Sequence, residues 1–179
     1  LQDGRASKAM LGLLEKLSEM DHVKVICFDS VGDGDAQTRD NNMAKFLYNA
    51  IRSKKHRRTL ILTGGVHASL KKGAPWDLNF VPMLKVLDEE FKKAASPKRL
   101  LNIGLKYKKL NTWACFETGC GLHAIDQPES PYSQAVAFNN YFTLEDNVEE
   151  QGYMSSLFIR QTTASPPALK RYGHTFGTR

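Results

Sequence analysis

The stretch TLILTGGVHA, residues 59–68, is the most informative part of this sequence. Its short apolar run, bounded by turn residues, predicts a buried strand over residues 59–63. Gly64 and Gly65 then permit a positive φ or a close approach of the backbone to another group. Ligands in open α/β sheets bind outside the carboxyl ends of the strands, so His67 is placed to act as a base, an acid or a metal ligand. The alternative is a surface-loop histidine after an ordinary strand.

The composition is typical of a soluble globular protein. The 179 residues are 41% hydrophobic and 25% charged, which is enough for one domain with a sizeable core. No apolar run approaches transmembrane length, so no membrane span is expected. The net charge of +6 is concentrated partly in residues 52–58. We interpret this basic run as a solvated helix end and expect no specific nucleic-acid partner, because no nucleic-acid motif accompanies it. Nothing in the sequence indicates a compartment.

Hydrophobic periodicity predicts the other elements. Helices are expected over residues 6–20, over a segment capped by Thr38 that runs to Ile51, and over residues 80–91. Strands are expected over residues 23–28, 100–105, 112–116 and 156–160, with a hairpin turn at 108–111 and a loop over 119–133. Cys27 is expected as a small core residue within its strand. The order strand, helix, strand around residues 23–63 predicts a right-handed parallel crossover.

That crossover would bring Asp29, Arg39, Asp40 and His67 to one edge of the sheet. A neutral His67 imidazole could accept a proton from water or from a substrate hydroxyl. Asp29 or Asp40 could orient that ring or hold a metal. Arg39 could bind a carboxylate or phosphate, or stabilise a developing negative charge. The alternative for Arg39 and Asp40 is local capping and a salt bridge.

Glu117 ends a predicted strand and could reach the same crevice, or it could be an exposed edge residue. The sequence has no Gly-x-Ser-x-Gly elbow, no phosphate-binding loop and no His-Glu-x-x-His pair. A serine hydrolase, a common nucleotide-dependent enzyme and a standard zinc protease are therefore disfavoured.

Three segments together resemble a known superfamily. Asp29, then RDNNMA at residues 39–44, then LTGGVHA at residues 62–68, are similar to the superfamily that joins erythromycin esterases, the TraB/Tiki proteins and the ChaN-like haem-uptake proteins. The resemblance implies an α/β fold of three layers, with a mixed, largely parallel central sheet flanked by helices. It implies either hydrolysis of an ester or amide by activated water, with or without a divalent metal, or haem binding without turnover.

By the matching motif, His67 would be the site histidine and the candidate metal ligand, with Arg39 and Asp40 supporting it. Gly64 and Gly65 would contact the ligand. The substrate would be a small molecule or a peptide, and the cofactor candidates are a divalent metal and haem.

One feature of the family has no counterpart here. Its members carry an earlier half with a Gly-Glu-x-His-like motif, whereas this sequence begins at Leu1 after that point. We therefore expect residues 1–179 to be a single α/β domain that forms the C-terminal portion of a larger domain. An upstream chain or segment would complete the fold, and a non-catalytic interaction fragment is a further alternative.

Overall fold

The computed structural model describes residues 7–29, 34–53, 58–116, 119–126, 140–144 and 148–168. The described residues combine helices with a small sheet, which fits the α/β class broadly. In chain order the elements are α1 (Lys8–Ser18), α2 (Ala36–Arg52), α3 (Gly65–Ala68), α4 (Met83–Lys93), β1 (Ile103–Phe116), β2 (Gly119–Asp126), β3 (Asn140–Leu144), α5 (Val148–Gln151) and β4 (Ser155–Gln161). No helix in these ranges is long and apolar enough to cross a membrane.

The chain divides into two compact units. What we call the helical unit falls within Cys27–Lys106 and Asn140–Phe158. The ribbon unit falls within Leu1–Ile26, Tyr107–Asn139 and Ile159–Arg179.

The core of the helical unit lies between α2 and α4. Apolar residues recur every three or four positions along each helix, so that each helix presents one continuous apolar face. Packing these two faces together excludes water from eight side chains, namely Met43, Ala44, Leu47, Ile51, Met83, Leu84, Leu87 and Phe91. The expected helix over residues 80–91 is therefore confirmed, with its start moved to Met83.

Helix α2 begins earlier than the sequence predicted. Its N-cap is Asp35, whose side chain accepts a 2.7 Å hydrogen bond from the backbone N–H of Thr38. The prediction of Thr38 as the cap is thus wrong, because Thr38 is the residue that needs the capping oxygen. This hydrogen bond lowers the pKa of the Asp35 carboxyl group.

The ribbon unit is built on the antiparallel pair of β1 and β2, which runs from Lys109 opposite Asp126 to Phe116 opposite Gly119. The sequence predicted a hairpin turn at residues 108–111 and a loop over 119–133, and both predictions are wrong for the described residues. Residues 103–116 form one uninterrupted strand, and residues 119–126 form its partner. No glycine or proline interrupts residues 105–118, so nothing local enforces the predicted turn.

The described residues form a small sheet, and they do not support the expected three layers or a largely parallel arrangement. The sheet has four strands in the order β2, β1, β4, β3, with β4 matching the predicted strand over 156–160. The expected strands over residues 23–28 and 59–63 are absent, and the parallel crossover is absent with them. Cys27 is exposed rather than buried. The pattern of side chains shows only that a segment suits a strand, and no neighbouring strand among the described residues pairs with these two segments.

The extended segments of the helical unit bury one side only. Ile61 and Leu100 pack against the core between α2 and α4. Their neighbours point the other way, and Leu60 is 94% exposed. The exposed apolar side chains are Leu60 and Leu62 in one segment and Leu101, Ile103 and Leu105 in the other, and together we call them the bare face.

Leucines of opposite exposure allow a direct test of the core. Leu87 is fully buried, whereas Leu78 is 85% exposed in the same unit. We expect Leu87→Ala to lower the free energy of unfolding by about 2–5 kcal/mol, because it removes buried methyl groups and leaves a cavity. Leu78→Ala should change it by less than about 0.5 kcal/mol. Urea denaturation of both variants measures this, and equal losses would contradict the assigned core.

Candidate functional site

His67 lies on a short helix rather than at the end of a sheet strand. The unpaired segment that ends at Gly64 leads into the single turn of α3, Gly65–Ala68, with Gly64 as its N-cap. The backbone of Gly64 has a φ of −66°, so neither this glycine nor Gly65 uses the left-handed region that the sequence allowed. The predicted site at the carboxyl edge of the sheet is corrected accordingly, because residues 59–63 are not part of the sheet.

The centre of the site is a hydrogen-bonded pair of Asp40 and His67. Asp40 is completely buried, and its Oδ1 lies 2.7 Å from Nδ1 of His67. Its Oδ2 accepts a 2.7 Å hydrogen bond from the backbone N–H of Met83. Because a carboxylate only accepts hydrogen bonds, Nδ1 carries the proton of this hydrogen bond, and in the neutral ring Nε2 keeps its lone pair. The His67 side chain is 24% exposed, and no described residue occupies Nε2.

Asp40 is buried because its carboxylate accepts a hydrogen bond from the first residue of α4. The N-cap of that helix is Pro82, which has no side-chain acceptor for the orphan N–H groups of the first turn. Asp40 supplies the missing acceptor from α2, and its negative charge suits the positive end of the helix dipole. Gln37, one turn earlier on α2, accepts a hydrogen bond from Val81 N at 2.8 Å and donates one to Val81 O at 3.0 Å.

A second ion pair lies next to Asp40 along α2. Arg39 donates from Nε to Oδ1 of Asp29 at 2.9 Å and from Nη2 to Oδ2, so that the guanidinium and carboxylate form a fork. The hydrogen bond to Asp29 raises the pKa of Arg39, and the charges of Asp29 and Asp40 add to this effect. Nη1 of Arg39 has no partner in the described part of the chain.

Tyr153 also binds α3, through the backbone of its first residue. Its hydroxyl donates a 2.7 Å hydrogen bond to the carbonyl oxygen of Gly65. The ring lies against Gly104, where an added Cβ would lie 3.0 Å from Tyr153 Cγ, so a larger residue would require the ring to shift by a few tenths of an ångström. Burial raises the pKa of the Tyr153 hydroxyl and favours its neutral form.

Asn102, which immediately precedes β1, connects α3 by hydrogen bonds to the residues that precede β4. Its amide nitrogen donates to Ala68 O and Gly152 O, each at 2.8 Å. Its side-chain oxygen accepts from Met154 N at 2.8 Å, and its backbone oxygen accepts from the Ser155 hydroxyl at 2.9 Å. Asn102 is 4% exposed, and every polar atom of its side chain has a partner.

The structure thus joins the four predicted residues Asp29, Arg39, Asp40 and His67 into two neighbouring pairs. Glu117 lies outside the described residues. Sequence reasoning missed Asn102 and Tyr153. A single amide within the apolar run of residues 100–105 was the available signal for Asn102, since a buried polar side chain requires partners.

The described residues do not by themselves form a metal centre. Within them, no group of three His, Cys, Asp or Glu side chains is close enough to share an ion. Both carboxylate oxygens of Asp40 are already occupied, which leaves Nε2 of His67 as the single available donor of the pair.

This chain matches no protein-family model, no curated protein and no solved structure. Its function is therefore argued from the contacts of these residues.

Asp40→Asn should reverse the tautomer of His67. Asparagine can keep the hydrogen bond from Met83 N with its oxygen, but its NH₂ group then faces Nδ1, which must become an acceptor. We expect the proton to move to Nε2 and the free energy of unfolding to fall by about 1–3 kcal/mol. Nitrogen-15 NMR of the imidazole reports the tautomer, and a protonated Nδ1 in the variant would contradict the assigned pair.

Tyr153→Phe should alter alkaline stability. The raised pKa of Tyr153 means that the unfolded chain loses this proton before the folded chain does, so stability present below pH 10 declines as the pH rises through the folded pKa. The variant lacks this decline, and it also loses about 0.5–1.5 kcal/mol at neutral pH with the hydrogen bond to Gly65. Urea denaturation from pH 7 to about 11 should show the two stabilities converging; a constant gap would contradict the shift.

Proposed function

We propose that this chain is a hydrolase-like domain in which His67 activates a water molecule for attack on an ester or amide of a small molecule or peptide. The observation that carries the proposal is the Asp40–His67 pair, in which a completely buried carboxylate fixes Nδ1 as the protonated nitrogen. The lone pair of Nε2 is left on a partly exposed ring, which is the arrangement that a general base requires.

In the proposed reaction, Nε2 takes a proton from water as the oxygen attacks the carbonyl carbon. The resulting imidazolium is stabilised by the carboxylate of Asp40, 2.7 Å from Nδ1. The same proton is then available for the leaving alkoxide or amine. General base catalysis of this kind contributes about 10²–10⁴-fold to the rate.

Arg39 is the proposed stabiliser of the negative charge that develops on the carbonyl oxygen. Its pairing with Asp29 favours the protonated guanidinium and uses Nε and Nη2, whereas Nη1 has no partner among the described residues. Gly64 is proposed to leave room for the ligand beside the histidine ring, since a Cβ there would lie 3.5 Å from His67 Cδ2. Gly65, whose carbonyl is held by Tyr153, would position the same turn.

A second proposal uses the same nitrogen without turnover, with Nε2 of His67 as a ligand to haem iron or to a divalent metal. The lone pair on Nε2 is what such ligation needs. The other ligands would have to come from beyond the described donors, since Tyr153 is held neutral by burial and donates to Gly65.

We also propose that a further chain or segment packs on the bare face of the helical unit, as the family resemblance implies. The supporting observation is that Leu60, Leu62 and Leu101 are 94%, 60% and 60% exposed on segments whose other side is buried. Apolar patches of this kind mark surfaces that bind other protein elements. A three-layer arrangement with a larger sheet would need such a segment.

The test is hydrolysis of p-nitrophenyl acetate and p-nitrophenyl butyrate by the wild type and by His67→Ala. We expect kcat/KM to fall by about 10²–10⁴-fold in the variant, with a normal solvent deuterium isotope effect in the wild type. His22→Ala is the matched control, because His22 is an exposed histidine outside the site and any imidazole hydrolyses these esters slowly.

Equal activity of His67→Ala and His22→Ala would refute the catalytic role. A haem titration of the same proteins separates the second proposal. A Soret band that is present in the wild type and lost in His67→Ala, without ester turnover, would favour ligation.

A further inference from the structure

A second candidate binding site lies at the C-terminal end of α4, apart from the Asp40–His67 pair. A cavity of about 360 Å³ opens there, and neither His67 nor Asp40 lines it. Small-molecule sites fall within about 300–1,000 Å³, so this volume is sufficient for a small ligand. Its floor consists of five apolar residues, Leu70, Phe91, Leu100, Val148 and Met154.

The floor is poorly suited to ordered water. Phe91 belongs to the core, and Leu70 and Leu100 pack against that core. A stable buried water needs two to four polar partners, which apolar side chains do not provide. The hydroxyl of Ser96, which also lines the cavity, already accepts a hydrogen bond from Lys98 N. The floor therefore favours a hydrocarbon group.

Charged side chains also line the cavity. Lys92, Lys98 and Arg99 line it together with one carboxylate, Asp88. Lys92 forms a 2.5 Å ion pair with Asp88, so the acid is already neutralised. Arg99 is exposed and has no ion-pair partner among the described residues. An arginine in this state binds carboxylates through two parallel N–H groups.

We propose that this cavity binds an aliphatic carboxylate, with the hydrocarbon chain on the apolar floor and the carboxylate on Arg99. Arg99 supplies the group that holds the anion, and the apolar floor holds the hydrocarbon chain. Arg99 is exposed, so a carboxylate bound to it faces solvent and keeps part of its hydration. This site is independent of the hydrolysis proposed at His67.

The experiment is isothermal titration calorimetry of the whole chain with three probes, each below its micelle-forming concentration. Decanoate carries both the chain and the negative charge, acetate carries the charge alone, and decyltrimethylammonium carries the chain with a positive charge. We expect decanoate to bind one to one, acetate to give no detectable heat, and the cation to bind at least about tenfold more weakly than decanoate, as the loss of a charged hydrogen bond predicts.

Variants locate the site. Arg99→Ala should weaken decanoate binding by about tenfold. Arg58→Ala removes another exposed arginine that does not line the cavity and should leave binding unchanged. Val148→Phe should abolish binding by filling the cavity. Arg99 is exposed, so its variant should fold even if the filled variant does not.

Three results would overturn the proposal. They are no binding of decanoate by the wild type, equal binding of the decyl cation, and an equal effect of Arg99→Ala and Arg58→Ala.

Discussion

The carboxylate of Asp40 is the constraint on which the helical unit and its site both depend. A completely buried charge is costly unless each of its oxygens is satisfied. Here one oxygen accepts the first N–H of α4, and the other accepts the imidazole of His67. The same residue therefore joins α2 to α4 and α2 to α3. The geometry of the candidate site is thus set by an interaction that also starts a helix.

This dual role explains how the histidine is held in place although its helix has a single turn. An isolated turn of four residues is unstable in water, because nucleation of a helix is unfavourable. Helix α3 is instead fixed from outside, by Asp40 on the side chain of His67 and by Tyr153 on the carbonyl of Gly65. The position and the tautomer of the His67 ring are therefore set by residues that are distant in sequence, and the local sequence does not determine them.

The sequence predicted the amphipathic helices and the pairing of chemistry-bearing residues better than it predicted the sheet. Helices α2 and α4 follow from a periodicity that is visible within one segment. Residues 59–63 carry an equally clear strand pattern, yet no neighbouring strand in the described ranges pairs with them. Strand formation depends on partners that are distant in sequence, so the pattern alone does not determine it. The proximity of Asp40 and His67 was predicted from a crossover that is absent, and it arises instead because α2 and α3 both pack against α4.

Asn102 restricts what evolution can place at its position. Its side chain donates twice, to Ala68 O and Gly152 O, and accepts once, from Met154 N. Aspartate has the same shape and arises by a single base change in the codon, but it would set a carboxylate against two carbonyl oxygens. Serine or threonine can donate only once, and glutamine is longer by a methylene group. Substitution of Asn102 is therefore limited by the direction of its hydrogen bonds rather than by its size. A neutral replacement would first require the carbonyl oxygens of Ala68 and Gly152 to accept from other donors.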